Sequence, residues 1–156
     1  MISVDAQRSI VQVDLDLTRY AQDLVGKVDL FVQGVVSALF NEVQERTPVD
    51  TGFARASWQG GLFGLTPTPA IEAAAAKANP GAGQAAAAQR KTENQQAVLQ
   101  VAKAGVVLEL ANNASYIAAL EDGWSAKAPE GMVKVTLLNA QQTAEEVAAH
   151  VMTMRS

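Results

Sequence analysis

The sequence predicts an α+β fold in which a long amphipathic N-terminal helix and a C-terminal helix pack on a small antiparallel sheet, with an inserted Ala/Gly/Pro-rich arm. Three observations lead there. Two long stretches, one in each half of the chain, repeat apolar residues at helical spacing. Short β-branched or glycine-punctuated runs lie between them, and residues 64–88 are of low complexity. The 156 residues fit a single domain spanning 1–156, long enough to remove roughly 68–70% of the unfolded surface from water. Apolar residues make up 49% of the chain and aromatic residues only 5%, so the expected core is aliphatic and helix is favoured.

Residues 1–13 read as an N-terminal arm. Ile10, Val11 and Val13 are interrupted by Asp5, Arg8 and Gln12, a pattern as compatible with extended chain or a short strand as with helix. Asp14 and Asp16 then precede Leu17, Tyr20, Ala21, Leu24 and Val25 at helical spacing, and Gly26 is placed to break or bend that helix. From Val28 the period is strong. Val28, Phe31, Val32, Val35, Val36, Leu39, Phe40 and Val43 form one wide stripe, opposed by Asp29, Gln33, Ser37, Asn41, Glu42 and Glu45, which suit solvent or a polar interface. Pro48 ends the helix at Arg46 or Thr47, because it pushes the preceding residue out of the α region.

Asp50-Thr51-Gly52 makes a turn, Phe53–Ser57 a brief helical turn, and Trp58–Phe63 a strand weakened by Gly60 and Gly61. Residues 64–104 form the insertion. Its first part, 64–88, is an arm with a short helix at Ile71–Ala78, and Ala85–Ala104 is a helix whose Gln89–Gln96 portion is strongly polar. Val106, Val107, Leu108 and Leu110 read as a buried strand, Asn112-Asn113 as a turn, and Ser115–Leu120 as a short helix. Met132–Arg155 is the last helix, with a stripe of Val133, Leu137, Ala140, Ala144, Val147, Ala148, Val151 and Met154. Met132, Val135 and Leu138 widen the stripe at its start, which predicts burial on more than one side.

Composition removes several function classes. With no cysteine there is neither a disulfide framework nor a thiolate metal site, and His150 as the single histidine leaves no all-His zinc cage. A net charge of −4 with scattered Lys and Arg argues against a nucleic-acid reader, although an acidic lining would help DNA slide through a channel. No apolar run reaches membrane-spanning length and the N-terminus lacks the pattern of a signal peptide, so synthesis in the cytoplasm with no membrane partner is expected.

Asp50-Thr51-Gly52 matches the catalytic tripeptide of aspartic proteases. Those enzymes need two carboxylates sharing one proton at the centre of a strand-rich fold, whereas here a helix precedes the tripeptide. The plainer reading is a turn in which Asp50 accepts backbone N–H bonds. Glu146 and His150, four apart on a helix, imitate two metal ligands but are more simply a solvated pair. Adjacent Glu121 and Asp122 point different ways and make a poor acid/base dyad. Lys103, Lys127 and Lys134 are too sparse to read a groove, and Trp58 and Trp124 serve better as core or interface anchors than as stacking platforms.

The order of motifs resembles a known family. A long amphipathic helix leads into Thr47-Pro48-Val49-Asp50-Thr51-Gly52 with Arg55 and Ser57, and then a strand. Asn113-Ala114-Ser115-Tyr116-Ile117 follows with Glu121 and Gly123, and Pro129-Glu130-Gly131-Met132 opens a last helix. This is similar to the tail-component proteins (head-to-tail joining, or tail-completion) of long-tailed bacteriophages, over residues 28–63 and 105–154. Ile117 stands where that family usually has alanine, and the 64–104 insertion is large for it.

The resemblance implies a structural virion protein of the phage neck, synthesised in the host cytoplasm, with no catalytic site, metal or cofactor. It implies a homo-oligomeric ring, six subunits or else twelve. The ring would sit between a portal, adaptor or stopper protein on the capsid side and a tail terminator or tail tube protein on the other, with DNA passing through without sequence-specific binding. By position in the motifs, Pro48, Asp50, Thr51, Gly52, Arg55, Tyr116, Glu121 and Gly123 are expected to hold the turn and the strand-to-helix junction, with Arg55 pairing with Glu121. The alternatives are an aspartic-protease-like enzyme using Asp50-Thr51-Gly52, and a monomeric toxin or adaptor.

Overall fold

The computed structural model describes residues 17–154, and its first helix, α1, is bounded as Ile2–Arg46. The arm expected over residues 1–13 lies outside the described residues. The two helical stretches expected on either side of Gly26 are one helix. Gly26 is exposed with nothing within 4 Å of an added Cβ, and its cost of about 1 kcal/mol is too small to end a helix favoured on both sides. Pro48 does end it: the Thr47 N–H still reaches the Val43 and Gln44 carbonyls, and no further turn forms.

The remaining elements are α2 (Phe53–Ala56), β1 (Trp58–Leu62), α3 (Ala73–Ala78), α4 (Pro80–Val101), β2 (Leu108–Asn112), α5 (Ile117–Glu121) and α6 (Val133–Thr153). Helices dominate, and β1 and β2 form a two-stranded antiparallel sheet in register from Trp58 opposite Asn112 to Leu62 opposite Leu108, so the fold is α+β. The low-complexity insertion is folded onto the body rather than projecting from it. Its helix α4 begins five residues earlier than the periodicity indicates, because Asn79-Pro80 is a start signal and not a break. The Asn79 side chain accepts from the Ala82 N–H at 3.2 Å, and Pro80 sits at the first position, where its missing N–H costs nothing.

α4 packs against α2, β1 and α1, while α6 packs along α1. α6 crosses α1 at Gly34, where an added Cβ would lie 2.6 Å from Val147 Cγ1. Gly60 of β1 lies equally close beneath the Phe40 ring of α1. The polar face of α1 is put to use in the same packing. Gln33 donates to the Ala102 carbonyl at 3.3 Å and Asp29 accepts from the Ala104 N–H at 3.1 Å, both at the end of α4.

The central cluster consists of Val43, Ala54, Trp58, Ala114, Leu120, Ala128 and Met132, with Phe53, Leu110, Ile117 and Val133 against it. Two expectations about burial fail. β2 is only half-buried and Val107 before it is 65% exposed, because a two-stranded sheet covers β2 along one edge only. The start of α6 is not buried all round: Met132 and Thr136 face inward while Leu137 and Leu138 are 63% and 81% exposed. Asn112, expected in a turn, is the last strand residue, and its side chain bridges the Ala54 carbonyl and the Ala114 N–H.

Candidate functional site at the helix-to-strand corner

The stretch from Thr47 to Trp58 reverses the chain from α1 into β1, and its hydrogen bonds show which residues hold it. Thr47 is fully buried. Its hydroxyl donates to the Val43 carbonyl and accepts the Trp58 indole N–H, each at 2.8 Å, so the indole that anchors the core is tied to the last turn of α1. Arg55 reaches back across the turn. Its guanidinium donates to the Thr47 carbonyl (Nη2, 2.8 Å) and the Glu45 carbonyl (2.8 Å), placing a cation on the unsatisfied, negative end of α1. Burial lowers the Arg55 pKa from its ordinary value, with the charge of Glu45 opposing the shift.

Glu121 does the converse at the other helix. Its carboxylate accepts from the backbone N–H groups of Met132 (2.8 Å), Val133 (2.9 Å) and Lys134 (2.8 Å), the positive end of α6. Partial burial pushes the Glu121 pKa up, but the three amides and the Lys134 ammonium outweigh it and hold the carboxyl below its ordinary range. The expected Arg55–Glu121 pair is therefore absent. Each charge is spent on a helix terminus, where several aligned backbone groups offer more than one opposite side chain.

The roles inside the tripeptide also differ from expectation. Among the described residues no hydrogen bond reaches the exposed Asp50 carboxylate, and it is the Thr51 hydroxyl that accepts from the Phe53 N–H, at 3.4 Å. Gly52 has a φ of 83°, which a side chain would strain, and is packed against the Gly83 backbone of α4. Gly83 in turn leaves room for the Thr51 carbonyl, which an added Cβ would approach to 1.8 Å. Gly123, also at positive φ, exits α5 against the Pro129 carbonyl.

These elements enclose a groove of about 670 Å³ whose lining includes Pro48, Asp50, Thr51 and Gly52 from one half of the motif and Tyr116, Leu120 and Trp124 from the other. Phe53 and Tyr116 meet with ring centroids 6.4 Å apart. Burial raises the Tyr116 pKa and the nearby Asp50 charge adds to the shift, with the Ala54 backbone opposing. Arg55, Glu121 and Gly123 stand outside the groove and fix its walls. Lys77 and Lys127 also line it, and Lys127 donates to the Val49 carbonyl at 3.2 Å.

The groove's lining is mainly apolar, with Lys77, Lys127 and Asp50 as its charged groups. Asp50 is the one carboxylate among its lining residues, so no second acid is placed to share a proton with it. Among the described residues no group of three or more His, Cys, Asp or Glu could hold a metal, and no helix is long and apolar enough to cross a membrane. Lys127 and Lys134 are engaged at the corner and at the start of α6, Lys103 is exposed beyond α4, and the three form no stripe.

Two buried side chains escaped the sequence reading. Asn94 of α4 accepts from the Gly60 N–H at 2.8 Å and donates to the Trp58 carbonyl at 3.2 Å, replacing a third strand along β1. Arg90, one turn earlier, is 5% exposed and donates to the Thr68 carbonyl at 2.8 Å. Both sit in or beside the polar run Gln89–Gln96, where periodicity alone does not separate a buried amide from a solvated one. No family model, curated protein or solved structure matches this chain.

Proposed function

We propose that this protein is a structural subunit of a bacteriophage neck, forming a ring of six copies (twelve being the next choice) that joins the capsid portal to the tail and leaves a channel for DNA. Its axial partners are a portal, adaptor or stopper protein on one side and a tail terminator or tail tube protein on the other. It performs no catalysis. Arg55 and Glu121 act at helix ends, Thr51, Gly52 and Gly123 shape the turns, and the function resides in the surfaces they orient.

The observation that carries this reading is the distribution of exposed apolar side chains. Leu17, Tyr20, Leu24, Val25 and Val28 line the outer half of α1, each 44–63% exposed. Leu62, Phe63 and Val107 cluster at the tip of the sheet, Leu137 and Leu138 stand on α6, and Trp124, 75% exposed, overhangs the groove. Separate apolar patches of this kind mark interaction sites. A ring subunit stacked between two partners needs four such surfaces, two toward its ring neighbours and one along each axial direction. The net charge of −4 suits a lining past which DNA slides.

Negative-stain electron microscopy of the purified protein tests the proposal. Rings with a central opening are expected, and a field of single subunits at micromolar concentration would leave the monomeric adaptor as the better reading.

A further inference from the structure

We propose that the outer half of α1 docks as an amphipathic helix into the corner groove of a second copy, so that each subunit gives a helix to one neighbour and receives one from the other. This rests on the ring reading and names the surfaces that close it. The helix offers Leu17, Tyr20, Leu24 and Val28, spaced i, i+3, i+7 and i+11, the anchor pattern of a helix lying in a groove, and all four are 44% or more exposed. The groove offers Pro48, Phe53, Leu120, Tyr116 and Trp124 as apolar and aromatic lining, and its 670 Å³ accommodates several large side chains.

The two surfaces lie at opposite ends of one rod. The stripe centres near Gln22 and the corner begins at Thr47, about 25 residues and therefore about 37 Å apart along the helix. A helix cannot reach its own groove, so the contact is between copies and head-to-tail, the kind that closes rings when the rotation fits. Charge favours the same pairing. The groove carries Lys77 and Lys127 against one Asp50, while in the sequence the docking stretch carries Asp14, Asp16 and Asp23 against Arg19 and Lys27.

The absence of cysteine makes the test direct. Leu24→Cys and Trp124→Cys, both at exposed positions, are introduced together, the fold is checked by circular dichroism, and the protein is oxidised in its assembled state. Peptide mapping is expected to find disulfides joining position 24 of one copy to position 124 of another in at least tenfold excess over 24-to-24 links, with a ladder of covalent multimers on a denaturing gel. Predominant 24-to-24 links, or none while native mass spectrometry still records the multimer, would overturn the docking and leave the ring standing. An unaltered chain that is monomeric at the same concentration would overturn both.

Discussion

Two glycine-to-alanine substitutions in helices should have opposite signs, and the contrast measures how tightly the corner is seated on α4. Alanine favours a helix interior by about 1 kcal/mol over glycine. At Gly26 an added Cβ meets nothing within 4 Å, so Gly26→Ala is expected to stabilise by about 1 kcal/mol, or about 2–4 °C in Tm for a domain of this size. At Gly83 the same Cβ would lie 1.8 Å from the Thr51 carbonyl oxygen and 2.9 Å from its carbon. Carbon and oxygen approach comfortably to about 3.3 Å, so the corner would have to retreat by roughly 1.5 Å. The obstacle is backbone, and Gly52 beside it is already pressed against the Gly83 carbonyl, which leaves no flexible side chain to absorb the strain. Overpacking of this severity costs about 3 kcal/mol or more, giving a net destabilisation of about 2 kcal/mol after the helix gain. Urea unfolding of both variants beside the parent protein reads the difference. A Gly83→Ala protein as stable as Gly26→Ala would refute the seating of Asp50-Thr51-Gly52 on α4.

Other substitutions test the remaining contacts. Thr47→Val leaves the Trp58 indole N–H buried without an acceptor and should cost about 1–3 kcal/mol, whereas adding Trp58→Phe to it should cost less than the two singles together, as a double-mutant cycle by chemical denaturation will record. Asn94→Ala strips both the Gly60 N–H and the Trp58 carbonyl of their partner, and a loss of about 2–3 kcal/mol is expected; a loss under 0.5 kcal/mol would mean that β1 is held without α4. Glu121 has a folded pKa below its unfolded one, so its contribution is complete above the ordinary carboxylate range and is lost as pH falls through the lower, folded value. Glu121→Gln should remove that part of the acid destabilisation, seen as a shallower fall in Tm with acidification. An unchanged pH profile would deny the carboxylate its place on α6.

The long helices were legible because their apolar residues recur at 3.6-residue spacing over many turns, and the corner because Pro48 and Gly52 each impose a backbone constraint that few other residues share. The α6 packing face was harder to read. Leu137 is as apolar as any core residue, and its exposure follows from the direction in which Glu121 and the Gly34 crossing set the helix. Arg55 and Glu121 read as a pair in the sequence because they flank the two halves of the motif. Only the geometry reveals that each faces a helix end, where three amides or two carbonyls converge. Asn94 was hidden because an amide that completes a sheet edge and one that faces water leave the same mark in a polar run.

The central claim is that this chain acts through surfaces exposed in the single subunit, and the mass of the protein in native mass spectrometry at micromolar concentration tests it most directly. A discrete species of six subunits, or of twelve, that falls apart when Leu24→Asp is introduced without loss of helical signal is the predicted result. A single-subunit mass for the unaltered chain would contradict it.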